Sequence, residues 1–190
     1  MPPAWVILNT ASKHRNSTRW AIAPALGRRQ GEVLGLQWSD VDLDAGVLRV
    51  RRSRLRPKYR RGCNGTCGRD RPGYCPKREQ ARPDTARTKS RAGRRVLGLP
   101  PELLTLLTRH KQTQDAERTA ARQLWKEGGW VFTKPTGEPL NPNTDYHEWK
   151  KLLRVAQVRE GRLHDARHTA ATVLLLLGVP ERAVMGLMGS

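Results

Sequence analysis

Three short segments combine residue types that can hold a phosphate group or move a proton. In Leu26-Gly27-Arg28-Arg29-Gln30-Gly31-Glu32-Val33-Leu34-Gly35-Leu36, Arg29 and Glu32 stand three apart. On a helix they share a face, and a carboxylate there can fix the direction of a guanidinium. The plain alternative is a surface ion pair worth about 0.5 kcal/mol. In Arg162-Leu163-His164-Asp165-Ala166-Arg167-His168-Thr169, the residues His164, Arg167 and His168 fall at i, i+3 and i+4. A guanidinium backed by a histidine suits a phosphate on which negative charge develops. The third segment is Thr88-Lys89-Ser90-Arg91-Ala92-Gly93-Arg94-Arg95-Val96. A lysine at the tip of such an arm can donate a proton to a leaving oxygen, or simply neutralise a phosphate.

Two further sets could bind metal. His164 and His168 also match a two-histidine zinc pattern, but Asp165 is shorter than the usual glutamate base and Arg167 would set a positive charge beside the ion. Cys63, Cys67 and Cys75 are spaced x3 and x7 and could give three thiolates to a structural zinc, for which a closed site needs a fourth ligand. With an odd number of cysteines, thiols or metal ligands are expected rather than a disulfide framework.

The elements that must position these groups are mostly helical. Helices are expected over 20–26, 29–38, 101–125, 144–157, 164–177 and 180–188. Tyr146, Trp149, Leu152, Leu153 and Ala156 mark one buried face, and Pro101 sits where a first-turn proline is tolerated. Residues 46–51 and 94–99 alternate apolar and basic with period two, which predicts two strands of one antiparallel sheet. Trp130-Val131-Phe132 is expected to add a third strand. The predicted fold class is mainly α with a small antiparallel β-sheet.

Between the two strands lies a basic excursion. Residues 51–95 hold 17 of the 36 Lys and Arg residues against Asp70, Glu79 and Asp84, and the remainder of the chain, with 19 basic and 14 acidic residues, is nearly ordinary. Glycines and prolines punctuate 56–92, and large apolar residues are nearly absent from it. The formal net charge is +19 in 190 residues, and 27 of the basic residues are arginine. A polyanionic partner is the first expectation. The longest apolar run, Ala170 to Leu177, is far short of the roughly 20 residues of a spanning helix, so no membrane association is expected. The N-terminus carries its basic residues after its apolar stretch, the wrong order for a secretory signal, which predicts a cytoplasmic location.

Taken together, Leu-Gly-x-Arg-x-x-Glu with Leu-x-Trp-x-Asp, Thr-Lys-Ser-Arg-Ala-Gly-Arg-Arg, and His-Asp-x-Arg-His-Thr resemble, in this order, the catalytic domain of tyrosine site-specific recombinases, the phage-type integrases. The resemblance covers about residues 20–190, leaving 1–19 as a short N-terminal remnant and about 56–88 as an inserted basic, cysteine-containing segment. It implies that Arg29 and Arg167 clamp the scissile phosphate, that Lys89 protonates the departing 5′ oxygen, and that His164 assists proton transfer. Glu32 and His168 would support the two arginines. It implies a covalent 3′-phosphotyrosyl intermediate and no cofactor, and double-stranded DNA and further recombinase protomers as partners. The setting would be bacterial or phage-derived and DNA-associated. Arg51, Arg52, Arg54, Arg91, Arg94 and Arg95 are the expected phosphate contacts.

One departure bears on activity. Family members continue past the Leu-Met-Gly region to a nucleophilic tyrosine, whereas here Gly189-Ser190 are the last residues and no tyrosine follows Tyr146. The expectation is a truncated catalytic domain without its own nucleophile, unable to cleave DNA by itself. A non-catalytic DNA-binding remnant and a zinc hydrolase using His164 and His168 are the alternative readings.

Overall fold

The computed structural model of the chain describes residues 4–87, 96–158 and 170–188. The chain opens with helices α1 (Ala4–Ser12), α2 (Thr18–Ala25) and α3 (Gln30–Leu34). All eight residues of α2 are buried. The helix stops because Gly27 adopts a left-handed φ of 58°, which a side chain would resist, and the chain turns there toward Arg29. Helix α3 is shorter than the predicted 29–38. It ends at Gly35, and Trp38–Asp40 form a separate 3₁₀ turn whose entry is fixed by the Asp40 carboxylate accepting from the Gln37 N–H at 3.0 Å.

The predicted strand pair is present. Strand β2 (Val47–Arg49) runs antiparallel to β7 (Val96–Gly98), with Leu48 opposite Leu97, and β1 (Val41–Asp42) pairs on the other side of β2. The third strand of this sheet is thus β1 and not residues 130–132. Trp130 makes one isolated bridge with Gln37, and Val131 donates its N–H to the Leu36 carbonyl. The Val131 carbonyl is taken by side chains, at 2.7 Å from His110 Nε2 and 2.9 Å from Gln114 Nε2. A backbone whose acceptor is filled in this way cannot extend a ladder.

His110 and Gln114 project from α4 (Pro101–Ala121), which buries only Leu103, Leu107 and Gln114 along one stripe. Helix α5 (Pro142–Val155) begins two residues before the predicted start, since Asn141 caps it by accepting from the Asn143 N–H at 2.8 Å and Pro142 occupies the first turn. Helices α6 (Ala170–Leu176) and α7 (Glu181–Met188) complete the described chain. The main core joins Ile22, Leu34, Leu48, Leu103, Leu107, Phe132 and Leu174. Burying each leucine contributes about 2 kcal/mol. A second cluster joins Ala11, Trp20, Trp149, Leu152 and Leu153. The N-terminal stretch therefore contributes a helix, with α1 packed against α5 and α6.

The basic excursion is a β-arm. Strand β3 (Arg52–Arg54) pairs antiparallel with β6 (Thr85–Arg87), and β4 (Tyr59–Arg61) with β5 (Arg78–Gln80). Between them, the Leu55 N–H donates to Asp84 and the Ala81 N–H to Lys58, so one ladder continues outward. Cross-strand backbone bonds order a segment that has almost no apolar side chains to bury.

Candidate functional site

Arg29 is the N-cap of α3, with extended φ −71° and ψ 146°, and its side chain is exposed. The predicted face-sharing pair does not form, because Arg29 precedes the helix. The Glu32 carboxylate accepts from the backbone N–H of Arg29 at 3.2 Å, and its nearest guanidinium is that of Arg28 at 4.0 Å. Glu32 thus positions Arg29 through the main chain, as the third residue of a helix commonly does for its cap.

Two glycines that no chemical motif singles out decide what lies against this helix. A Cβ on Gly31 would stand 2.5 Å from Ser53 Oγ and 2.7 Å from the Arg54 carbonyl oxygen. One on Gly35 would stand 2.9 Å from the Arg54 N. Gly31 and Gly35 lie one turn apart, so the missing side chains form a seat for β3, and the root of the arm rests directly on the helix that starts at Arg29. The G-x-x-x-G spacing was the available signal.

The opposite side of this helix start is held by a buried polar network. The Arg19 side chain is only 2% exposed, and its Nε donates to Asp145 Oδ1 at 2.5 Å. Its other nitrogens donate to the Arg15 and Asn16 carbonyls and to Glu148. Gln30, next to Arg29, donates to Asp145 Oδ2 at 2.5 Å and to the Pro142 carbonyl. Asp145 therefore couples α2, α5 and the first residue of α3. This network was not anticipated from the sequence, since its members are over a hundred residues apart.

Among the expected phosphate contacts, Arg51 and Arg52 flank the buried carboxylate of Asp40, at 3.5 Å and 2.5 Å. Arg54 pairs with Asp84 at 3.3 Å and lies over the Trp130 ring. The side chains of Arg52 and Arg54 are 21% and 10% exposed, so both tie the arm to the core, whereas Arg51 is largely exposed. Lys89, Arg91, Arg94, Arg95, His164, Arg167 and His168 lie outside the described residues.

The three cysteines converge at the far end of the arm. Their sulfurs all lie within 4.8 Å of one another, with Cys63 and Cys75 Sγ 3.4 Å apart. Hydrogen bonds from the Cys67 and Cys75 thiols bring the Cys63 pKa down to about 6, while burial pushes that of Cys75 up. Of the tyrosines, Tyr59 starts β4, Tyr74 is exposed beyond the second ribbon, and Tyr146 lies half-buried on α5 between Arg56 and Lys150. Among the described residues, no helix is long and apolar enough to cross a membrane.

Comparison with known proteins gives a consistent picture. Residues 80–189 match the model of the phage integrase family. An integrase of Saccharopolyspora erythraea is 42% identical over 214 residues, covering 97% of this chain and 49% of that protein. A XerC-like tyrosine recombinase of Caldanaerobacter subterraneus subsp. tengcongensis is 30% identical, covering 93% of this chain and 42% of its own length. The chain spans about half the length of the curated relatives it matches. Among solved structures, the Tn1549 transposon integrase in complex with a circular intermediate DNA superimposes with a TM-score of 0.60 at 18% identity, covering 100% of this chain and 57% of that one. XerA recombinase gives 0.59 at 18% identity, with 98% and 53% covered. The fold, mainly α with small antiparallel sheets, is that of tyrosine recombinase catalytic domains.

Proposed function

Since the chain belongs to the phage integrase family of tyrosine recombinases, we propose that it is part of the catalytic domain of a site-specific DNA recombinase, which cleaves and rejoins strands during integration. The observation that carries this reading is a conjunction. The family match contains Lys89, His164 and Arg167, and Arg29, which precedes it, is held at a helix start by Glu32 and flanked by the arm and the Asp145 network.

In this reading Arg29 and Arg167 bind the non-bridging oxygens of the scissile phosphate. Their planar, bidentate donors neutralise the charge that grows as phosphorus becomes five-coordinate. A tyrosine oxygen attacks phosphorus and gives up its hydroxyl proton to a base or solvent, the bond to the 5′ oxygen breaks, and Lys89 supplies the proton that this oxygen takes up. His164 assists the proton transfer and His168 supports Arg167. The product is a 3′-phosphotyrosyl linkage with a free 5′ hydroxyl, and attack by the 5′ hydroxyl of another strand reverses the step. Because the linkage conserves the bond energy, the reaction needs no metal or nucleotide cofactor. The attacking tyrosine would come from outside these 190 residues, on the same or a neighbouring protomer, because Tyr59 and Tyr74 belong to the arm and Tyr146 is held on α5 between Arg56 and Lys150.

Double-stranded DNA is the substrate, contacted mainly at phosphates by Arg51, Arg91, Arg94 and Arg95. Arg52 and Arg54 set the angle of the arm from beneath. The test uses a nicked suicide duplex, the intact chain and a tyrosine-bearing recombinase protomer, with protein–DNA adducts resolved under denaturing conditions. Adducts that require the chain, and that fall about a hundredfold or more with Arg29→Ala or Arg167→Ala, are expected. Adducts indifferent to both substitutions would overturn the assignment.

A further inference from the structure

We infer that Cys63, Cys67 and Cys75 form a zinc site that fastens the outer end of the β-arm. The site stands on its own observations and does not depend on the recombinase reading.

The first observation is geometric. The 3.4 Å between Cys63 and Cys75 Sγ is far longer than a disulfide bond of about 2.05 Å. It is close to the edge of a zinc–thiolate tetrahedron, which for bonds of about 2.3 Å measures roughly 3.8 Å. Cys67 Sγ also lies within 4.8 Å of both, so one ion at the centre can reach all three with small adjustments.

The second observation is one of burial. Every residue from 55 to 84 is described, and Cys75 alone among them is buried, at 1% exposure. Beyond Tyr59–Arg61 and Arg78–Gln80, the segment has no apolar cluster to offset the entropy of ordering about 15 residues. Yet its backbone converges on the three sulfurs. Thr66 donates both its N–H and its hydroxyl to the Cys63 carbonyl, and Asn64 and Gly65, at φ 51° and 90°, curl the loop back to Cys67. Beneath, Gly62 donates to the Lys77 carbonyl, and a Cβ on Gly62 would stand 2.4 Å from that oxygen. The two sides of the arm close tightly just where the thiols meet.

The third observation is electrostatic. Zinc with three thiolates carries one net negative charge, and the same stretch supplies Arg60, Arg61, Arg69, Arg71, Lys77 and Arg78. That surrounding favours the deprotonated thiols the metal requires, and their protons pass to solvent on binding. Among the described residues no further His, Cys, Asp or Glu joins the group, so these three thiolates are the ligands the arm supplies. The ion's role is structural, since it replaces an absent hydrophobic core.

The test uses the full chain, purified under reducing conditions without chelator, with zinc measured by atomic emission. About one zinc per chain is expected, falling to about a tenth or less in the Cys63→Ser/Cys75→Ser variant. As a measurement independent of variant folding, the metal-free wild-type chain is titrated with cobalt(II). Thiolate-to-cobalt absorption saturating near one equivalent, and abolished by zinc, is expected. With zinc bound, trypsin cleavage within 56–82 should slow several-fold. The inference is overturned by a reduced chain that neither carries zinc nor develops the cobalt band. It is equally overturned by a Cys63–Cys75 disulfide in the protein as isolated, or by zinc retained in the double variant.

Discussion

Replacing Asp145 with alanine tests how the start of α3 is held. The side chains of Arg19 and Asp145 are 2% and 1% exposed, so the substitution strands a guanidinium in the interior. Breaking a buried pair by removing one partner costs about 3–5 kcal/mol. Here the low end applies, because Arg19 still reaches Glu148, which is half exposed, and the Arg15 and Asn16 carbonyls. Gln30 loses one acceptor and keeps the Pro142 carbonyl. A loss of about 3 kcal/mol corresponds to a fall in Tm of roughly 6–12 °C for a domain of this size. The assay is thermal unfolding by circular dichroism, together with urea unfolding at fixed temperature. The double variant Arg19→Met/Asp145→Leu removes both charges and should recover most of the loss, since a buried pair is often replaceable by apolar residues of similar volume. A shift below 1 °C for Asp145→Ala, or a double variant as damaged as the sum of the two single ones, would refute the reasoning.

Further outcomes follow from the same geometry. Gly31→Ala should destabilise by about 1–2 kcal/mol despite alanine's better helix propensity, because the Arg54 carbonyl cannot yield as a side chain would; urea unfolding reads it, and Ser53→Gly should rescue only part of the loss. His110 is half-buried and its pKa is lowered, chiefly by that burial, with a smaller opposing contribution from the Val131 carbonyl. The unfolded chain therefore binds this proton more readily, and stability should fall as pH drops below about 6.5, whereas His110→Gln should lack that component in urea midpoints between pH 7.5 and 5.5. Binding of duplex DNA, measured by fluorescence anisotropy, should weaken about a thousandfold between 50 and 200 mM salt if six phosphates are neutralised, and a flat salt response would contradict phosphate contacts.

Much of the scaffold was legible in the residues, and the exceptions have physical causes. Strands β2 and β7 announced themselves through period-two alternation, and α5 through Trp149, Leu152 and Leu153, because half-buried elements write their exposure into the sequence. The arm did not, since a ribbon exposed on both faces has no apolar period and reads as a loop until its backbone partners are seen. Residues 130–132 have strand composition, but side chains of α4 take the hydrogen bond a strand needs. At the candidate site, a link between Arg29 and Glu32 was readable from their types and spacing, and its mode was not. It turned on whether Arg29 is the first residue of a helix or its cap, a one-residue distinction that propensity does not resolve. The Asp145 network was invisible for another reason, because it is made entirely by tertiary packing.

The register of the arm carries a consequence for how such a protein can change over generations. The chain leaves the β3–β6 ladder at Arg54 and returns to it at Thr85, and these two residues face each other on one rung. Everything beyond the next rung, where the Leu55 N–H meets Asp84, is therefore a removable cassette. It can be lengthened, shortened or exchanged for a tight turn without shifting any pairing below it, or the seat of β3 on Gly31 and Gly35. A fold built in this way can acquire or lose an accessory prong in a single insertion or deletion while the helix beneath it stays where it was, so that the arm and the helical core can evolve on separate schedules.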